Sequence, residues 1–339
     1  QGAEPVTLRV VISGFGTVGQ GVAEVLERKK DFIQARFQRQ IRIVAVFDSC
    51  SLAYSQSGLD PSELLNRKSK TGRVGDPRPT DMTGFLRDTD FDVLVEVSPT
   101  NIETGGDGLT FIREALNKGA HVVTVNKGPL ALHFRELNDL ARKKRVQLRF
   151  EGAVGGAMPL INLCKENFMG ERILTIQGIL NGTCNFILSR MDKGLPFGQA
   201  LKEAQELGYA EADPSYDIDG IDSASKVAIL ANAVFDRDVT FSDVSVTGIT
   251  AITEDAIALA GDQGMVIRLI GEVSQDKLEV APRLVPKGHP LSLSGTLNMA
   301  QISTDLAGPI TISGRGAGRI ETASAIFSDL VAILEAERQ

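Results

Sequence analysis

Two lysines and a group of carboxylates are the residues of this 339-residue sequence that could do chemistry. Asp217, Asp219 and Asp222 lead into Lys226, and Asp222 and Lys226 stand four apart on a helical pattern. An exposed pair at that spacing would add only about 0.2–0.5 kcal/mol to a helix. Yet Ile221, Ala224, Val227, Ala228, Ile229 and Leu230 make this helix apolar on most faces, so little of it can be solvated. A lysine and several acids on a largely buried helix need a reason, and a polar substrate supplies one. A lysine that is partly desolvated, or beside a second cation, can serve as base or acid near neutral pH; nearby carboxylates oppose that.

The second constellation is Gly14-Phe15-Gly16-Thr17-Val18-Gly19, which follows a strand pattern and opens a helix. In that context a GxGxxG run binds a dinucleotide. The first glycine allows the tight turn, the second admits the pyrophosphate, and the third lets helix and strand pack closely. The helix N-terminus adds unpaired N–H groups and a positive dipole end. Asp48 directly follows the second strand, where an acid can accept hydrogen bonds from the ribose of NAD. A turn or cap role fits Asp48 equally well. The basic cluster Arg67, Lys68, Lys70 and Arg73 could instead reach the 2′-phosphate of NADP, or be a solvated loop. The cofactor is NAD or NADP, and Asp48 tips the reading toward NAD.

The elements that must position these groups change character along the chain. Apolar runs Leu8–Ser13, Ile41–Phe47, Asp92–Val97 and His121–Val125 alternate with helical patterns, among them Leu109–Asn117 and a helix opened by Pro129. Such alternation reads as a Rossmann-type, doubly wound parallel sheet covered on both faces, an α/β fold. Asp48–Thr80 reads as an irregular surface excursion. Past about residue 150 strict alternation stops. Strand-like Ile173–Leu180, Val266–Val273 and Lys277–Pro286, with helical Cys184–Met191, Phe197–Leu207 and Asp219–Ala233, suggest an α+β domain. A final helix, Ile320–Ala336, returns to the first. The expected division is 1–135 with 307–339 for the dinucleotide, and 136–306 for substrate and dimerisation.

Composition excludes several classes. A net charge of −7 argues against nucleic acid and acidic membranes. No run approaches the roughly 20 apolar residues of a membrane span. The N-terminal residues show no signal peptide, and an odd three cysteines without CxxC suit a reducing, cytoplasmic setting. Three scattered histidines give no zinc-site spacing.

The run Gly178–Leu188, then Leu207–Asp217 and Asp219–Lys226, closely resembles homoserine dehydrogenase. So do Val125–Pro129, Glu151–Gly156 and the late Gly316-Ala317-Gly318 with Thr322–Ala325, in the order the family has them. The resemblance implies reversible NAD(P)-dependent interconversion of L-homoserine and L-aspartate 4-semialdehyde, in threonine, methionine and isoleucine biosynthesis, by a homodimer. It implies that Lys226 and Lys127 flank the reacting carbon, with Lys226 favoured for proton transfer and Lys127 as co-acid and orienter. Glu211 and Asp222 would hold the substrate, with Asp217, Thr183 and Gly182 close by. Ser98, Thr100, Lys127, Gly208, Gly316 and Thr322 would join the glycine loop at the cofactor. A monovalent cation, Na or K, would sit on Glu151, Val154, Gly156 and Met158. Two arginines, Arg315 and Arg319, stand in the late glycine loop where relatives often carry Pro and a small or apolar residue. The length leaves no room for an appended regulatory ACT domain, so feedback inhibition through one is not expected.

Two other readings compete. Aspartate-semialdehyde dehydrogenase needs a cysteine nucleophile with a histidine nearby. Cys184, in Asn-Gly-Thr-Cys-Asn, has no histidine close in sequence and reads better as a small buried residue. A non-catalytic nucleotide sensor would not need both lysines and the full acidic set.

Overall fold

A computed structural model describes residues 7–336, so the N-terminal residues searched for a signal peptide lie outside it. The chain forms two compact units. The first holds the described residues through Ala153 and those from Gly318 onward. Its elements are β1 (Thr7–Ser13), α1 (Thr17–Arg28), α2 (Lys30–Phe37), β2 (Gln40–Phe47), β3 (Ser51–Tyr54), α3 (Pro61–Thr71), β4 (Asp76–Pro77), α4 (Met82–Asp88), β5 (Val93–Glu96), α5 (Gly106–Lys118), β6 (His121–Thr124), α6 (Lys127–Lys144) and β7 (Leu148–Arg149). They build a seven-stranded sheet in the order β4-β3-β2-β1-β5-β6-β7. The strands β2, β1, β5, β6 and β7 run parallel, and β3 and β4 pair antiparallel at one edge.

Alternate residues of β1 feed different cores, as a doubly covered strand requires. Val10 and Ile12 pack with α1 and the C-terminal helix (Arg319–Ala336), whereas Val11 packs with Phe111, Ile112 and Ala115 of α5. The Rossmann-type expectation is met. The irregular reading of Asp48–Thr80 is corrected, because this stretch holds β3, α3 and β4. The Asp60 carboxylate accepts the Glu63 N–H at 2.9 Å, Pro61 opens α3, and Gly72 closes it in the left-handed region.

The second unit runs from Val154 to Ala317. The chain enters it through a short turn, α7 (Gly152–Gly155), followed by α8 (Leu160–Asn162) and a wider turn, Leu163–Asn167. Then come β8 (Ile173–Ile179), α9 (Gly182–Met191), α10 (Phe197–Glu206), α11 (Ser215–Ile218), α12 (Ile221–Phe235), β9 (Ser245–Val246), α13 (Glu254–Asp262), β10 (Met265–Ser274), β11 (Leu278–Pro286), β12 (Leu297–Thr304) and β13 (Pro309–Arg315). The six strands form a mostly antiparallel sheet, β13-β12-β8-β10-β11-β9. Helices α9 and α12 pack against β10, on the face where a Cβ at Gly271 would touch Leu180 and Val227. No helix among the described residues is long and apolar enough to cross a membrane.

Candidate active site

In the first unit, the candidate residues gather at the carboxyl ends of the parallel strands. The chain leaves β1 toward β2 on one side and pairs it with β5 on the other, so the crevice beside β1 is the topological switch point. Gly14 sits there with φ +98°, and a Cβ on it would lie 2.7 Å from the Ser98 nitrogen and 2.8 Å from the Val97 carbonyl. A Cβ at Gly19 would meet the Gly14 oxygen at 2.1 Å, which fixes the packing glycine. Gly16, by contrast, faces open space and caps α1 with no side-chain hydrogen bond. The exposed first turn at Gly16 and Thr17, beside Val18, is therefore where an anion can meet uncapped N–H groups. The Phe15 side chain, between Gly14 and Gly16, is buried in the core, so only its backbone faces this turn.

Asp48 follows β2 as expected, but its carboxylate is already engaged. Oδ1 accepts the N–H groups of Cys50 (2.9 Å) and Ser51 (2.7 Å) and the Ser51 hydroxyl (2.9 Å). Oδ2 accepts Lys68 Nζ at 2.7 Å. Burial alone would raise its pKa; the hydrogen bonds from Lys68, Cys50 and Ser51 outweigh it and hold the carboxyl well below the usual range. The basic cluster thus reaches this acid through Lys68, on α3.

Lys127 is the first residue of α6, half-buried, and its helix is capped by Asn126, whose Oδ1 accepts the Gly128 N–H at 3.3 Å. Asn126 in turn donates from Nδ2 to Glu96 Oε2 at 2.9 Å. Glu96 is fully buried at the end of β5, and its Oε1 accepts the Ser98 N–H at 3.0 Å and, more weakly, the Ser13 hydroxyl at 3.4 Å. Burial pushes its carboxyl up, and the bonds from Ser98, Asn126 and Ser13 only partly oppose that. A Cβ at Gly108 on α5 would lie 2.5 Å from Asn126 Nδ2 and 2.8 Å from Glu96 Oε2. Thr100 is exposed. Thr322 is buried on the C-terminal helix, and Glu151 is buried with its N–H on Asp329 at 3.0 Å.

In the second unit, the sequence-derived cluster does assemble. Lys226 Nζ donates to Asp222 at 2.7 Å and to the Leu180 carbonyl at 2.6 Å. Both side chains are nearly buried, at 9% and 8% exposure. Asn181 caps α9 through Oδ1 on the Cys184 N–H (2.8 Å), and its Nδ2 bridges Asp217 (2.7 Å) and Asp222 (3.0 Å). Asn181 is the organising residue that inspection of charge alone passes over. Two of the three N–H donors of Lys226 are occupied by described residues, leaving one for a ligand oxygen. Tyr216, also missed, puts a buried hydroxyl beside this group, its pKa pushed up to about 12 by burial and then by the Asp222 charge.

The remaining residues sit further out. Gly182 starts α9 against the Thr296 carbonyl, where a Cβ would approach to 2.4 Å. Thr183 donates to the Tyr209 carbonyl at 2.6 Å, tying α9 to the turn that Gly208 opens at φ +76°. Glu211 is exposed on that turn, and its carboxylate has no partner among the described residues. Gly316 packs against the Asn298 amide, and a Cβ there would force that side chain to move. Arg319 turns onto α1, reaching Glu24 at 3.0 Å, and Arg315 gives its carbonyl to the Ala157 N–H at 3.0 Å. Val154 and Met158 are buried and Gly156 is left-handed at φ +57°. No group of three or more His, Cys, Asp or Glu fit for a metal occurs among the described residues. Cys184 is fully buried, its thiol driven well up by burial and then by the Asp217 and Asp222 charges, and it donates to the Asp217 carbonyl. A protonated, inaccessible thiol is no acyl-forming nucleophile. Cavities of about 240 and 350 Å³ lie elsewhere, and no candidate residue lines either.

Comparison with known proteins bears on the whole chain. Residues 159–331 match the family model described as homoserine dehydrogenase, and residues 14–151 match that of the homoserine dehydrogenase NAD binding domain. A homoserine dehydrogenase of Methanocaldococcus jannaschii is 47% identical over 97% of this chain and 99% of its own. An NAD(+)-dependent homoserine dehydrogenase of Pseudomonas canavaninivorans is 37% identical, covering 96% of each. Among solved structures, a provisionally assigned homoserine dehydrogenase of Archaeoglobus fulgidus superposes with a TM-score of 0.91 at 49% identity, over 96% of this chain and 99% of the other. A hyperthermophilic archaeal homoserine dehydrogenase in complex with NADPH superposes with a TM-score of 0.84 at 29% identity, over 97% and 98%.

Proposed function

The chain belongs to the homoserine dehydrogenase family, and from that premise we propose that Lys226 moves the proton while Lys127 orients the reacting oxygen. The activity is NAD(P)-dependent oxidation of a CH–OH group, the interconversion of L-homoserine and L-aspartate 4-semialdehyde. A bound nicotinamide would supply the hydride acceptor or donor for the carbon. Lys226 supplies the remaining chemistry at the oxygen: as the ammonium its third N–H gives a proton to the aldehyde, and as the neutral amine its lone pair takes the hydroxyl proton in the other direction. Asp222 and the Leu180 carbonyl orient that nitrogen. The observation that carries this reading is the buried ammonium with two fixed acceptors and one donor left over.

Asp217 and Asp222 hold the substrate with Thr183 and Gly182, and Glu211, exposed and with no described partner, suits the substrate ammonium. The first unit takes the cofactor, with Gly14–Gly19, Asp48, Ser98, Thr100 and Lys127 as its contacts. Gly208, Gly316 and Thr322 complete the cofactor set. NAD is the preferred form: an ionised Asp48 repels a 2′-phosphate, and Lys68 only partly offsets this. By the family resemblance, Glu151 and the carbonyls of Val154, Gly156 and Met158 are the candidate donors for a monovalent cation, sodium or potassium, and oxygen donors suit such a hard ion.

The protein acts as a cytoplasmic homodimer. Support comes from the sheet face away from α9 and α12, where Gln177, Met299, Gln301 and Ser303 are only half-buried. The deciding experiment is absorbance at 340 nm with homoserine and either NAD or NADP, followed by pH–rate profiles of Lys226→Ala and Lys127→Ala. Loss of the proton-transfer limb in Lys127→Ala alone would reverse the two roles. Light scattering on the purified protein tests the dimer.

A further inference from the structure

The first unit contains a buried acid that the reaction does not use. Glu96 closes β5 between β1 and β6, pairing with Ser13 on one side and Thr124 on the other. Its carboxylate receives hydrogen bonds from Ser98 N–H, Asn126 Nδ2 and the Ser13 hydroxyl. Those donors come from three separate strand ends, and no cation pairs with Glu96 among the described residues. Desolvating a carboxylate without a counter-charge is costly, so neutral donors alone must hold it. A core-filling residue would satisfy the packing here without that penalty.

The three donors are the groups that border the cofactor crevice. Ser13 precedes Gly14, Ser98 lies against Gly14, and Asn126 caps the helix that begins with Lys127. We propose that Glu96 is a positioning residue: it fixes the rim on which the nicotinamide half of the cofactor rests, and through Asn126 it sets Lys127. The Lys127 half rests on the role given to that lysine above; the rim half does not.

The bond between Glu96 and Asn126 can be tested by exchanging its ends. Asn126→Asp keeps an acceptor for the Gly128 N–H but turns the donor toward Glu96 into a second carboxylate. Glu96→Gln keeps shape but sets an amide N–H₂ against a donor, either Asn126 or Ser98. In Glu96→Gln/Asn126→Asp the Gln donates to the Asp, and every other bond is restored. The readouts are kcat and cofactor KM with homoserine, and the Kd of NADH and NADPH from nicotinamide fluorescence.

Each single variant should raise the cofactor Kd and lower kcat about tenfold, the effect of one misplaced buried polar group. The double variant should return both to within about threefold of the parent. Folded single variants with unchanged Kd and kcat, or a double no better than the worse single, overturn the proposal. Should the singles not fold, Gly108→Ala presses on the same bond while favouring its helix. Folded Gly108→Ala with parental Kd would overturn it equally. Lys127→Ala with parental kcat removes only the Lys127 half and leaves the Kd test standing.

Discussion

Asp222 and Glu96 are both buried carboxylates, and the two units keep them charged or neutral by opposite means. Asp222 has a lysine at 2.7 Å and an asparagine at 3.0 Å. Glu96 has only neutral donors, at 2.9, 3.0 and 3.4 Å. A charge pair with a spare N–H can exchange a proton with a ligand and be restored. A ring of neutral donors offers no base to take a proton from the acid or pass it on, and serves to hold strand ends in place. Burial of an acid therefore does not by itself mark chemistry; the company it keeps does.

The largest effect that would break this contrast is on turnover. Lys226→Met should lower kcat by about a thousandfold, within the usual span for lost acid–base catalysis, with NADH affinity unchanged by fluorescence titration. A kcat loss below about tenfold would make the pair structural. Next, Asp222→Asn leaves the Lys226 ammonium buried without its counter-charge and should destabilise the protein by about 3–5 kcal/mol in urea unfolding. An indifferent Asp222→Asn would put the two acids on the same footing.

A smaller effect sharpens the neutral side. Because the Glu96 carboxyl is raised in the folded state, the native protein keeps a proton there that the unfolded chain has released. Its contribution is complete below the ordinary glutamate pKa and is lost as pH rises through the folded value, at about 1.4 kcal/mol per pH unit. In Glu96→Gln that decline should vanish from melting curves taken as a function of pH. Asp48 has the opposite sign: its stabilisation is present above the ordinary aspartate range and fades as pH falls. Lys68→Ala should weaken that acid limb and change the ratio of NAD to NADP rates by less than about tenfold. The least effect belongs to the thiols: an alkylating reagent should modify exposed Cys50, spare buried Cys184 and leave activity intact.

Much of the charged site was legible because local periodicity carried it. An apolar helix interrupted by Asp222 and Lys226 declares a buried ion pair, and a glycine run between strand and helix declares its turn. The neutral hub was not legible. Glu96 reads as the polar end of an apolar run, and its partners Ser13 and Asn126 lie 83 and 30 residues away. Only the pairing of β1, β5 and β6 brings them together. Helix α3 was lost for another reason. Its cap, its Pro and its closing Gly were all present, but a single buried Leu64 gave too little amphipathic signal against Arg67, Lys68 and Lys70. Strands β12 and β13 escaped because Asn298, Gln301, Ser303, Thr311 and Ser313 look like loop. Asp48 kept both of its readings, since it forms a turn and also stands at the end of β2.

The contact of Gly108 with both Glu96 and Asn126 has a consequence for descent. Any side chain at 108 is driven into the bond between the other two, and either of those changed alone opposes its partner. Three positions far apart in sequence are thus bound to a common fate. A lineage can leave this arrangement only by altering at least two of them together, so drift along α5 should pass around residue 108 while its solvent face varies freely.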